Sequence, residues 1–321
     1  MDEVTLESGD AAVSILNYGC VLRDWRVDGA RGSVPVTLGF PRFEDYALHS
    51  QSHGIIAGRV ANRTAGARFE MDGREYRLTP NHGSNHLHGG AVGLGRRIWE
   101  METDDAGNAV HLRYASPDGE EGYPGAVDFE VTFRLECARL ICAMSGVPDR
   151  PTPVNLAQHS YYNLGGGGDV LDHEVEIAAS RYTPTGPDLI PDGTIAPVAG
   201  TRMDFTTARS IGDSDPERLG LDHNLVLDAD RDRKAPAARV SCPRTGLNLR
   251  LWTDEPALQI YNGSDKSVAV PGHDGRKYGP YAGLCLEAQH YPDSLNRPDW
   301  PSIIATSEEP YNQQLMVEIS P

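Results

Sequence analysis

The chain has 321 residues, 39% of them apolar, and a formal net charge of −17 at pH 7. That length and apolar share supply a sizeable core. An acidic surface whose only lysines are Lys234, Lys266 and Lys277 repels phosphate backbones and anionic lipid, so neither nucleic acid nor membrane is an expected partner. The opening Met1-Asp2-Glu3-Val4 lacks the apolar run of a secretory signal. No stretch is apolar for long enough to span a bilayer. Cys20, Cys137, Cys142, Cys242 and Cys285 are odd in number and scattered, and are read as reduced, mostly buried thiols of a cytoplasmic protein.

Strand signals dominate from the N-terminus onward. Ala67–Met71 and Tyr76–Leu78 flank Asp72-Gly73, which marks a hairpin. Val110–Tyr114 follows a turn at Ala106-Gly107-Asn108. Val127–Leu135 alternates apolar and polar residues without a break, the period of a half-buried strand. Leu247–Leu251 follows Thr245-Gly246, and Leu258–Tyr261 ends at Asn262-Gly263. With 34 Gly and 23 Pro as punctuation, long helices have little room. Short helices are expected around Phe43–Ala47 and Pro216–Leu219. Many short strands with regular turns predict an all-β sandwich or barrel. No linker divides residues 1–321, so a single domain is expected.

Five segments carry polar residues in excess of structural need. In Gly58–Arg63, two arginines and Asn62 can grip hydroxyls or sit in a solvated turn. In Asn81–Gly90, a strand would point His86 and His88 the same way. The pair can bind a metal, hydrogen-bond a substrate, or serve the fold. No carboxylate follows in Gly89-Gly90-Ala91-Val92, which disfavours the metal. Val154–Leu164 reads as a strand crowded with amide, imidazole and phenol groups, and His159 can exchange a proton near neutral pH. Asp222-His223-Asn224 is either a turn or a carboxylate aimed at sugar hydroxyls. In Leu284–Gln289, Leu284, Leu286 and Ala288 share one face of a strand, and Cys285, Glu287 and Gln289 the other. Partial burial there would raise the pKa of Glu287 toward that of a useful base.

Taken in order, these segments resemble the aldose 1-epimerase (galactose mutarotase) family. Asn17-Tyr18-Gly19, Gly122-Tyr123-Pro124-Gly125 and the stretch from Tyr291-Pro292-Asp293 through Pro298 and Pro301 extend the likeness over nearly the whole chain. The resemblance implies a large antiparallel β-sandwich, a supersandwich, with few short helices and an open cleft. It implies interconversion of the α and β anomers of a free monosaccharide such as galactose or glucose, without cofactor or metal, by a monomer or homodimer. Glu287 corresponds to the general base and His159 to the general acid. Arg63, His88 and Asp222 correspond to substrate-binding residues, with Asn62 and Gln259 as further contacts. Gln158, Ala126 and Gly93–Arg97 depart from the family's usual residues, which bears on sugar preference more than on the reaction. A glycoside hydrolase using Glu287 and Asp222, a hexose-phosphate epimerase and a non-catalytic sugar sensor are the alternatives.

Overall fold

The computed structural model describes residues 1–29, 32–50 and 52–321. It is an all-β structure of antiparallel sheets. The largest sheet has nine strands in the order Glu100–Thr103, Ala109–Ser116, Val127–Glu136, Arg139–Pro148, Tyr311–Ser320, Asn248–Thr253, Ala238–Ser241, Glu174–Ile177 and Arg209–Ser210. The alternation in Val127–Glu136 places Val127, Phe129, Val131, Phe133 and Leu135 inward. A six-stranded sheet lies over this apolar face, ordered Tyr161–Tyr162, Leu284–Gln289, Ala257–Tyr261, Asp222–Val226, Arg181–Thr183 and Ala196–Pro197. Leu284, Leu286, Ala288, Leu258, Ile260 and Leu225 share one core with the nine-stranded sheet. An N-terminal four-stranded meander from Glu3 to Pro35 adds Leu6, Val13, Ile15 and Trp25 to the same core.

Period-two geometry fixes what the other face of the six-stranded sheet carries. Cys285, Glu287 and Gln289 point away from the sandwich core, yet all six residues of their strand are buried. A second apolar layer, including Leu38, Phe40, Tyr161 and Cys285, covers that side. Glu287 is therefore a mid-sheet residue with protein on both sides.

The Asp72-Gly73 hairpin forms as expected. Met71 pairs with Arg74, and both turn residues are left-handed, with φ of 53° and 72°. The first helix is Glu44–His49, as expected. The second is not at Pro216–Leu219 but at Ile211–Ser214, where Ser210 Oγ accepts the Asp213 amide at 3.0 Å. Pro216 disfavours a helical Asp215, so the turn ends before it. Nor is Val154–Leu164 one strand. It is broken into the short pieces Ala157–Gln158 and Tyr161–Tyr162, which pair with different partners. His159 sits in the break.

Candidate active site

A cavity of about 410 Å³ opens beside the outer face of the six-stranded sheet. Asn62, Arg63, His88, His159, Asp222 and Glu287 all line it, along with Tyr161, Arg202 and Lys266. Each reaches it by a different route. Glu287 comes from the centre of its strand and Asp222 from the first position of a strand. Arg63 begins a two-residue strand, Arg63–Thr64, paired with His86–Leu87. Gln259 pairs across the sheet with both Glu287 and Asn224, and its amide donates to Asp222 Oδ1. It holds Asp222 and does not itself line the cavity.

The histidines of Asn81–Gly90 do not point the same way. The strand ends at Leu87, and His88 adopts a left-handed backbone with φ of 50°. His86 is buried in the fold, with Nδ1 against the Thr79 carbonyl and Nε2 against the Tyr123 hydroxyl, both at 2.7 Å. His88 turns into the cavity, where its Nδ1 accepts the Asn62 amide at 3.1 Å. Asn62 is itself left-handed, and its side-chain oxygen accepts the Arg63 amide at 2.9 Å. These two kinked residues lock the Arg63 and His88 segments together. Gly89 completes the turn at φ +83°, and a Cβ there would lie 1.6 Å from the Gly58 carbonyl oxygen. Gly89→Ala is expected to cost more than about 3 kcal/mol in urea unfolding, because backbone and not a mobile side chain blocks the methyl.

Arg59 serves the fold. Its buried guanidinium donates to Ser116 Oγ and to the carbonyls of Ser116, Pro117 and Gly125. Of the two arginines in that segment, only Arg63 faces the cavity.

The electrostatics of the site follow from burial. Desolvation raises Glu287 from its ordinary 4.5 to about 8; the Asp222 charge adds to the rise and Arg63 opposes it. Among the described residues Oε2 of Glu287 has no hydrogen-bond partner, while Oε1 lies 3.7 Å from Nε2 of His159. Desolvation lowers His159 from 6.5 to about 4. His88 is held well below its ordinary value for the same reason. Asp222 is raised by burial against the pull of Arg63, whose Nη2 is 3.5 Å from Oδ2. Between about pH 4 and 8 the buried Glu287–His159 pair thus holds one proton, resting on the carboxyl.

His88, His159 and Glu287 place three potential ligand atoms within 4.8 Å of one another. Lone-pair accounting disfavours a cation there. The Asn62 amide occupies the Nδ1 lone pair of His88, so the ring proton sits on Nε2. His88 therefore offers the cavity a hydrogen-bond donor. A second cluster, Asp172, His173 and Cys242, fails in the same way. His173 Nε2 accepts the Leu164 amide, leaving Nδ1 to carry the proton toward Asp172, which Arg244 also grips.

Comparison with known proteins agrees with this architecture. The family model for aldose 1-epimerase matches residues 2–318. The galactose mutarotase of Rattus norvegicus is 37% identical over 325 residues, covering 100% of this chain and 94% of its own. The aldose 1-epimerase of Escherichia coli K12 is 35% identical over 298 residues, covering 90% of this chain and 86% of its own. The crystal structure of an aldose epimerase homologue from C. elegans superposes with a TM-score of 0.94 at 26% identity, covering 99% of this chain and 98% of that one.

The chain belongs to the aldose 1-epimerase family.

The residues read from the sequence as departures from the family's pattern lie off the cavity wall. The side-chain amide of Gln158 donates to Ser160 Oγ at 2.7 Å. Arg97 pairs with Glu120 at 2.8 Å, and Ala126 bonds through its backbone to Asp149. None of them lines the cavity, so the expectation that they bear on sugar preference finds no contact to act through. Arg202, Asp265 and Lys266 do line it, and sequence reasoning passed over them. Lys266 is one of three lysines and follows a Gly-containing turn, a signal that was available but not distinctive. Arg202 lies in a loop with no periodic pattern.

Proposed function

We propose that this family member interconverts the α and β anomers of free aldoses such as galactose or glucose, with Glu287 as general base and His159 as general acid. The observation that carries the reading is the buried pair in the cavity, Glu287 Oε1 and His159 Nε2 3.7 Å apart, whose burial favours a shared single proton over two charges. Moving that proton from the carboxyl to Nε2 creates a carboxylate and an imidazolium with no change in total charge. The carboxylate takes the proton of the C1 hydroxyl and the imidazolium protonates the ring oxygen, so the C1–ring-oxygen bond breaks and an open-chain aldehyde forms. The pair is then back in its resting arrangement, carboxylic acid beside neutral imidazole. After rotation about C1–C2, His159 takes the proton from the C5 hydroxyl as it attacks the carbonyl. Glu287 protonates the carbonyl oxygen, and the other anomer results.

Asp222, Arg63, Asn62 and His88 offer acceptors and donors for the remaining hydroxyls, with Gln259 holding Asp222 in place. A single domain working in the cytoplasm fits five cysteines that form no disulfide. Among the described residues no helix is long and apolar enough to cross a membrane.

The decisive experiment follows optical rotation of fresh α-D-galactose, and of α-D-glucose, with enzyme against a buffer blank. Faster relaxation that disappears in His159→Asn supports the reading; relaxation no faster than the blank on any free aldose overturns it. The proton inventory also fixes the pH profile. Activity needs exactly one proton on the pair, so kcat/KM should be bell-shaped. It should fall below about 4, as the pair gains a second proton, and above about 8, as it loses its last. A profile flat across pH 7–10 would contradict the pairing.

A further inference from the structure

Nε2 of His159 faces Glu287, so the reaction depends on what its other nitrogen does. The ring is held on three sides. Tyr161 stacks against it with centroids 5.1 Å apart at 30°, and His88 meets it edge-on at 5.1 Å and 72°. On the third side, Cys285 Sγ lies 3.5 Å from Nδ1. Cys285 is two residues from Glu287 on the same face of the same strand, and it pairs directly opposite Tyr161. The Tyr161 hydroxyl also hydrogen-bonds the sulfur.

We propose that Cys285 is a positioning residue for His159, accepting the Nδ1–H so that Nε2 is the nitrogen that gains and loses the catalytic proton. This rests on the reading of His159 as the acid. Among the described residues the ring also meets its own backbone carbonyl, an acceptor that likewise favours a ring N–H. That carbonyl oxygen already accepts the Gly54 amide at 2.9 Å. The thiol is therefore the better-placed partner.

The choice of sulfur has a chemical consequence. A carboxylate at this position would hold the ring as a permanent imidazolium. Cys285 is completely buried, and burial keeps it a neutral thiol. A neutral, weak acceptor fixes the tautomer without adding proton affinity to the imidazole. The resting proton stays on Glu287, and His159 remains free to receive and release it.

Cys285→Ala is expected to lose roughly tenfold in kcat on α-D-galactose with KM unchanged, and Cys285→Ser to recover most of it, because Ser Oγ also accepts. In protein labelled with 15N-histidine, the His159 resonances are those missing from His159→Asn. They should report Nδ1–H as the neutral tautomer in the parent and the Ser variant, and a mixture in the Ala variant. Wild-type kcat in Cys285→Ala, or equal losses in Ala and Ser variants, would overturn the positioning role alone. Full activity in His159→Asn would overturn the acid assignment and this role together.

Discussion

Replacing Glu287 by Gln is expected to lower kcat on α-D-galactose by about a thousandfold, within the range that one lost general base accounts for. Bound sugar should be retained, because the amide keeps the shape and hydrogen-bonding reach of the carboxyl. Isothermal titration separates the two effects, and measurable turnover near the parent rate would remove Glu287 from the chemistry. The same variant should be more stable in alkali than its parent. The folded-state pKa of Glu287 is about 8 against an ordinary 4.5, so the folded chain binds the extra proton throughout that window. Stability conferred by the protonated carboxyl is full below about 4.5 and is lost as pH rises through 8, at up to about 1.4 kcal/mol per pH unit. Glu287→Gln cannot ionise, so its urea midpoint at pH 8.5 should exceed the parent's while the two converge near pH 5. A catalytic group kept at the expense of stability predicts this crossing of activity and stability.

Asp222 and Arg63 act on Glu287 in opposite senses, and this predicts opposite displacements of the alkaline limb of the kcat/KM profile. Asp222 is a negative charge that raises the Glu287 pKa, and Arg63 is a positive charge that lowers it. Asp222→Asn should therefore move the limb to lower pH, and Arg63→Gln to higher pH, each by on the order of one unit. Both variants should also lose roughly 10- to 100-fold in kcat/KM. Each would forfeit the charge-assisted hydrogen bond proposed between it and the sugar, worth about 1.5–3 kcal/mol. A fall in kcat/KM with no movement of the limb would show that the two residues bind sugar without tuning the base. Displacement of both limbs in the same direction would contradict the charge arrangement.

Much of this was legible before any coordinates, for identifiable reasons. Val127–Leu135 announces itself because a strand buried on one face leaves period-two alternation, and Leu284–Gln289 because Leu284, Leu286 and Ala288 alternate with a face that carries the carboxylate of Glu287. The Asp72-Gly73 hairpin is written in two residues that tolerate left-handed backbone. What could not be read was where irregular backbone turns a side chain. His86 and His88 share a strand face only if the strand continues, and left-handed φ at His88 sends them apart. The same holds at His159, where tertiary pairing breaks the apparent strand into two short pieces with different partners. Local pattern carries no information on such breaks, because their stabilisation comes from segments distant in the chain. The Cys285 contact with His159 is likewise invisible at a separation of 126 residues.

The two faces of Leu284–Gln289 divide the molecule's future as well as its present. Leu286 and Ala288 anchor the sandwich core, while Glu287 between them, the proposed base, faces the cavity. A mutation that shifts this strand endangers folding before it retunes catalysis, so the base is tied to stability and has little freedom to drift. Arg63 and His88 hang on kinked, short segments outside that core. New sugar preferences should therefore arise by exchange of these loop-borne contacts around an unchanging acid–base centre, and a mutational library confined to them is the economical place to seek an enzyme for a different aldose.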